Sequence, residues 1–145
     1  MLRYVGAVLV LGLTAVSCTT AVMPDPPGTV RLNASLTDGS LAGTTFQVVF
    51  TYDPSQVVAK GQVFLSLTSF DFTLLGVAFK RSDINEGGQV IFQDGAYQNV
   101  TASFQGVLPA NSPVSNITFG FGGPGVIGYV DHDNQFGHGT FTRQK

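Results

Sequence analysis

Along most of this chain apolar residues recur at every second position, not at the three-to-four spacing of a helix. Arg31-Leu32-Asn33-Ala34-Ser35-Leu36 alternates polar with apolar, as a strand with one buried face does. Thr37-Asp38-Gly39-Ser40 is a turn signal. From Thr45 to Tyr52, the side chains of Phe46, Val48, Phe50 and Tyr52 share one face. Asp53-Pro54-Ser55 ends that run, because proline cannot donate to a ladder. Val63 to Phe79 is the longest β-rich stretch. Phe70, Phe72 and Leu74 point inward there, and Leu75-Gly76 breaks or bends the run before Val77-Ala78-Phe79. Val90-Ile91-Phe92 and Tyr97 to Phe104 flank Asp94-Gly95, a strong short-range hairpin signal. Leu108 to Ser115 carries two prolines and reads as a loop. Ile117, Phe119 and Phe121 form another inward face, and Gly123-Pro124-Gly125 suits a type II turn. Val126 to Val130 returns, Asp133-Asn134 turns, and Phe136 to Thr142 closes the domain. No segment reads as a helix, although Ser82 to Gly87 has room for a single turn.

About eight to ten short strands separated by glycine-rich turns predict an all-β fold, an antiparallel β-sandwich of jelly-roll type. Burying the phenylalanine faces is the stabilising term, at about 1.5–3 kcal/mol for each side chain. Composition agrees. Charged residues make up 11%, phenylalanine is frequent (12) and tryptophan is absent, which excludes intrinsic disorder. A net charge of −2 provides no electrostatic footprint for nucleic acid. The adjacent basic pair Lys80-Arg81 reads as a solvated strand end.

The first residues follow different rules. Arg3 is the only charge before Asp25, and Val5 to Val16 is an almost unbroken apolar run. It is shorter than the about 20 residues needed to span a bilayer, and small residues follow it, the layout of a secretory signal peptide. The single cysteine, Cys18, follows Ala15-Val16-Ser17. This stretch resembles the lipobox of bacterial lipoproteins, with Ala15 standing where a larger aliphatic residue is usual. The resemblance implies a lipidated Cys18 at the mature N-terminus; plain secretion after Ser17 or Ala21 is the alternative. One unpaired thiol in an exported chain invites intermolecular pairing, which a thioether-linked lipid prevents. Stable anchoring takes more than one acyl chain, and the family's lipid supplies that. Residues 19–28 contain three prolines and a glycine within Pro24 to Gly28 and read as a tether. The expected organisation is a signal peptide over 1–17, a lipidated cysteine and tether over 18–28, and a β-domain over 29–145.

Candidates for chemistry are few. The stretch DHDNQFGHG, Asp131 to Gly139, gathers ligand-type residues. Asp131, Asp133 and Asn134 offer oxygens to calcium, an incomplete set against the six to eight that calcium takes. His132 and His138 lack a thiolate or third histidine to complete a zinc site. A polar hairpin accounts for the same residues. Gly120 to Gly125 matches G-x-G-x-x-G, but Pro124 and the β-like Val126-Ile127-Gly128-Tyr129 deny the helix that a dinucleotide site requires. No Gly-x-Ser-x-Gly elbow occurs, so no catalytic residue is assigned. Tyr52, Tyr97 and Tyr129 lie in apolar-rich strands and read as core or rim packing.

DGSLAGTTFQVVFTYDPS, LTSFDFTLLGVAF and the closing FGHGTFT resemble the exported β-domains of cyanobacteria and other envelope-rich bacteria, many of which carry a C-terminal Pro-Glu-Pro sorting tail. Arg143-Gln144-Lys145 carries no such motif, so sorting by that route is not expected. The resemblance brings no catalytic residue with it. The expected function is an exported, lipid-anchored cell-envelope protein with a non-catalytic binding or structural domain. It contacts the membrane through its lipid, binds no nucleic acid, and has a protein or polysaccharide partner that the sequence does not specify. The alternatives are a secreted carbohydrate- or calcium-binding module and an accessory or inhibitor domain for an envelope hydrolase.

Overall fold

Nine strands alternate inward and outward side chains in the computed structural model, which describes residues 26–120 and 122–145. Cys18, the leader, the tether as far as Asp25, and Phe121 lie outside the described residues. The strands are β1 (Thr29–Leu36), β2 (Thr45–Tyr52), β3 (Gln62–Leu74), β4 (Val77–Phe79), β5 (Glu86–Gln93), β6 (Ala96–Gln105), β7 (Asn116–Phe119), β8 (Val126–Val130) and β9 (Phe136–Arg143). Two 3-10 turns stand between strands, Pro54–Gln56 and Arg81–Asp83, and the second overlaps the start of the Ser82 to Gly87 segment.

The all-β expectation holds, and the sandwich is corrected to a barrel. All the strands belong to one antiparallel sheet, in the order β2-β1-β9-β8-β7-β6-β5-β3-β4, and β2 also pairs with β3. That extra pairing closes a ring of eight strands, with β4 as a short flap beside β3. The seam between chain ends is made by β1 and β9, with Leu32 opposite Arg143 and Leu36 opposite Gly139.

Closure depends on β3, whose thirteen residues serve two ring neighbours, β5 and β2, besides the β4 flap. Its first half pairs with β5, with Gln62 opposite Gln93 and Ser66 opposite Gln89. Its second half pairs with β2, with Phe70 opposite Phe50 and Phe72 opposite Val48. Between the halves Thr68 is an extra residue, since Thr51 faces Ser69 while Tyr52 faces Leu67. A β-bulge of this kind bends a strand and increases its twist. It also shifts the inward phase from Leu65 and Leu67 to Phe70, Phe72 and Leu74. The Thr51 hydroxyl shares hydrogen bonds with Thr68 (2.6 Å) and Ser69 (2.8 Å), fixing the corner.

The turns follow their chemistry. Asp94 and Gly95 both take positive φ (51° and 78°), as a two-residue hairpin requires. Leu75 and Gly76 do the same (47° and 84°), so the expected break is a hairpin into β4. Asp53 accepts hydrogen bonds from the Ser55 amide and hydroxyl, closing the turn after β2.

The interior is filled rather than hollow. An eight-stranded barrel is just wide enough for side chains to occupy its centre. Here Phe50, Phe70, Phe72, Phe79, Phe104 and Phe119 do so, all buried. Phe72 stacks on Phe79 (ring centroids 4.6 Å apart, planes 7° apart) and meets Phe104 and Phe119 edge-on at 5.3 Å. Such offset-stacked and edge-to-face pairs are the favoured geometries for aromatic rings.

Candidate functional site

The Asp131 hairpin is built for structure. Asp131 is only 7% exposed. Its Oδ1 accepts the Asp133 amide at 2.9 Å and the Gln135 amide at 2.8 Å, and its Oδ2 accepts the Ser40 hydroxyl at 2.6 Å. The Ser40 and Gln135 hydrogen bonds hold its carboxyl below the ordinary carboxylate range. Asn134 takes φ +59° at the turn, and Asp133 is exposed. The two histidines face different partners. His132 Nε2 lies 2.7 Å from the Ser112 carbonyl as its donor, and His138 Nδ1 lies 3.2 Å from Asp38 Oδ1. Among the described residues, no three His, Cys, Asp or Glu side chains gather as a metal-ligating group. The hairpin ties three loops together at one end of the barrel. Nearby, the Tyr129 hydroxyl donates to the Asp38 carbonyl and accepts from the Leu41 amide.

The glycine-rich stretch is also structural. Asn99 points outward from β6 yet is 6% exposed, because the loop after β7 lies over it. Its amide donates to the Gly120 carbonyl (3.4 Å), and its oxygen accepts the Gly125 amide (3.5 Å). At Gly120, φ is +72°, and a Cβ there would sit 2.1 Å from the Val100 carbonyl oxygen, so only glycine fits.

A groove of about 680 Å³ crosses the outer wall of the barrel over β5 to β9, with Phe64 of β3 at one end. Cross-strand register builds it. Glu86, Ser103, Thr118, Gly128 and His138 stand opposite one another on five successive strands and form one transverse row. Gln105, Asn116, Val130 and Phe136 form the row beside it. The floor is low because its residues are small. Ser103 faces outward but is only 8% exposed, and a Cβ on Gly128 would meet nothing within 4 Å. The rims are high because Phe64 and Phe136 are 53% and 77% exposed.

The polar groups of the floor are fixed by one another. The Ser103 and Thr118 hydroxyls are 3.0 Å apart, Thr118 donates to Asn116 Oδ1 at 3.1 Å, and Asn116 Nδ2 donates to Gln105 Oε1 at 3.0 Å. This chain of neutral groups presents donors and acceptors in set positions. Among the described residues, no lysine or arginine lines the groove. Glu86 and His138 stand four strand spacings apart, about 19 Å along the wall. A pair of catalytic carboxyl groups works at about 5–9.5 Å, so these two do not form an acid–base couple.

The groove is the feature that sequence reasoning missed. Outward positions of an alternating strand ordinarily read as solvent-facing. The one signal was that the outward positions of β6 to β8 are small and neutral, whereas Phe64 and Phe136 are outward aromatics. Of the candidate residues singled out from sequence, His138 and Tyr129 border the groove. Tyr129 is buried and Tyr52 and Tyr97 half-buried, in the packing role expected of them. No protein-family model, no curated protein and no solved structure matches this chain.

Proposed function

We propose that the chain is exported, is held at a bacterial cell envelope by a lipid on Cys18, and uses its barrel to bind a ligand in the outer-wall groove without transforming it. The observation that carries the binding role is the row Glu86–Ser103–Thr118–Gly128–His138. Three small residues lie at its centre, beneath a groove large enough for a small molecule or a chain segment. The distribution of polarity supports a barrel that stands in water. Phenylalanine and leucine fill the interior while serine, threonine and glutamine face outward, the reverse of a membrane-spanning barrel. The strand directions support tethering by one end. β1 starts beside the end of β2, with Thr29 opposite Thr51, and runs toward the Asp131 hairpin. The described chain therefore begins at the end of the barrel far from the Asp131 hairpin.

Two measurements test this reading. A clickable fatty acid fed to producing cells labels the full chain and fails to label Cys18→Ser. The Cys18→Ser chain, which has no lipid to insert, is retained on washed envelope fragments of its own cells, and the same chain with Gly128→Trp, which fills the floor, is released. An unmodified thiol at Cys18 would refute the anchor, and equal retention of Gly128→Trp would refute the groove.

A further inference from the structure

We infer that the ligand of this groove is a neutral oligosaccharide chain laid across the strands, its rings capped at the two ends by Phe64 and Phe136. The inference rests on the proposed binding role of the groove and names the chemistry of the occupant.

Charge is the first argument. Among the described residues no lysine or arginine lines it, Glu86 and His138 stand at opposite ends of one row and the Tyr129 hydroxyl is engaged by Asp38 and Leu41, so the groove has no fixed cation to neutralise a phosphate, a uronate or a nucleic acid backbone. An uncharged ligand avoids the cost of desolvating an unpaired charge there. Hydrogen bonding is the second. Ser103, Thr118, Asn116 and Gln105 form a continuous chain of hydroxyl and amide groups at 3.0–3.1 Å. Each hydroxyl or amide both donates and accepts, which matches the hydroxyl groups of a sugar. Surface shape is the third. Val126 and Val130 lie beside the polar row, and Phe64 and Phe136 rise from opposite sides of the groove. A pyranose ring presents C–H faces and O–H edges, so one ring meets both kinds of surface at once.

Topology disfavours a peptide. An extended peptide docks on a sheet by adding a strand to a free edge. The groove lies on the face of strands β5 to β9, each paired on both sides within the closed ring, and offers no unpaired backbone there. Extent favours a chain over a single sugar. From β3 to β9 the wall spans five strand spacings, about 24 Å, room for several linked rings. Gly128 sits inside this path, and its missing side chain leaves the passage open.

The test uses the full chain in a detergent without a sugar headgroup. Hexasaccharides of glucose, xylose, mannose and N-acetylglucosamine are titrated calorimetrically, with hexagalacturonate and a neutral hexapeptide as comparison probes. At least one neutral hexasaccharide is expected to bind with a Kd below about 1 mM. Gly128→Trp weakens it tenfold or more. Phe64→Ala and Phe136→Ala, whose side chains are exposed and carry no core packing, each weaken it severalfold. Leu75→Asn, on a turn that lines no part of the groove, leaves it unchanged. Raising salt changes the affinity less than twofold, because no ion pair is formed. Failure of every neutral hexasaccharide to bind, or binding indifferent to Gly128→Trp, Phe64→Ala and Phe136→Ala, overturns the inference. If hexagalacturonate or the peptide binds instead and Gly128→Trp abolishes it, the neutral-oligosaccharide assignment falls while the groove's binding role stands. Gly128-dependent retention on envelope fragments, with no neutral hexasaccharide bound, likewise removes the sugar and keeps the binding role.

Discussion

Tyr129 occupies the space in front of the Gly137 backbone, its partner across the β8–β9 ladder: a Cβ at residue 137 would sit 2.2 Å from Tyr129 Cζ. The ring reaches over the glycine to the loop between β1 and β2. Its hydroxyl there donates to the Asp38 carbonyl at 2.7 Å and accepts the Leu41 amide at 2.8 Å. Two predictions separate these parts. Tyr129→Phe keeps the packing and loses both hydrogen bonds, costing about 1–2 kcal/mol in denaturant unfolding. Gly137→Ala forces the ring aside and costs about 2–3 kcal/mol or more. Equal stability of Gly137→Ala and wild type would show that the ring does not need this space.

Phe72 is the hub of the aromatic core, in ring contact with Phe46, Phe70, Phe79, Phe104 and Phe119. Phe72→Ala is expected to cost about 3–5 kcal/mol, the range for emptying a buried aromatic site. Thermal or urea unfolding measures it, and a melt superimposable on wild type would contradict the packing described.

These two cases mark how far the sequence could be read. Local rules sufficed for Phe70, Phe72 and Leu74, for the Asp94-Gly95 hairpin, and for β2 and β8, whose expected limits match those observed. Phase alone could not distinguish a sandwich from a closed ring, because both alternate with period two. The difference lies in pairings between distant residues, such as Leu32 with Arg143, and in a bulge at Thr68 that no turn residue announces. The groove was hidden for a related reason. Glu86, Ser103, Thr118, Gly128 and His138 are scattered through the chain, and register alone puts them side by side.

Tyr97 supplies a prediction at alkaline pH. Its hydroxyl is buried without a hydrogen-bond partner among the described residues, and burial raises its pKa to about 12 although Arg143 stands 5.6 Å from the ring centre. In the unfolded chain tyrosine ionises near pH 10. Between about pH 10 and 12 the unfolded chain therefore holds fewer protons than the folded one, and stability falls as pH rises. Tyr97→Phe removes that part of the alkaline loss. At neutral pH it is neutral or slightly stabilising, because a buried hydroxyl without a partner is deleted. Chemical unfolding followed from neutral to alkaline pH checks both points, and a large loss of stability in Tyr97→Phe at neutral pH would contradict them.

Asp131 governs the acid side. Its carboxyl titrates below the ordinary range because Ser40 and the Gln135 amide donate to the charged form. The stability it contributes is present above the unfolded carboxylate pKa and is lost as pH falls through the lower folded value. Asp131→Asn is expected to be less stable than wild type at neutral pH, with the difference shrinking toward about pH 2. Calcium is expected to leave Tm unchanged, because the carboxylate oxygens already accept three hydrogen bonds. A calcium-dependent rise in Tm that disappears in Asp131→Ala would return the hairpin to ion binding.

The seam joining β1 to β9 bears on how such a molecule matures. Leu32 meets its β9 neighbour only when Arg143 is available, so a growing polypeptide cannot complete its hydrogen-bonded circle early. Contacts this remote along the chain form slowly. The barrel is thus kept open by its own topology while the chain is made, and locks only once its last stave, β9, is in place.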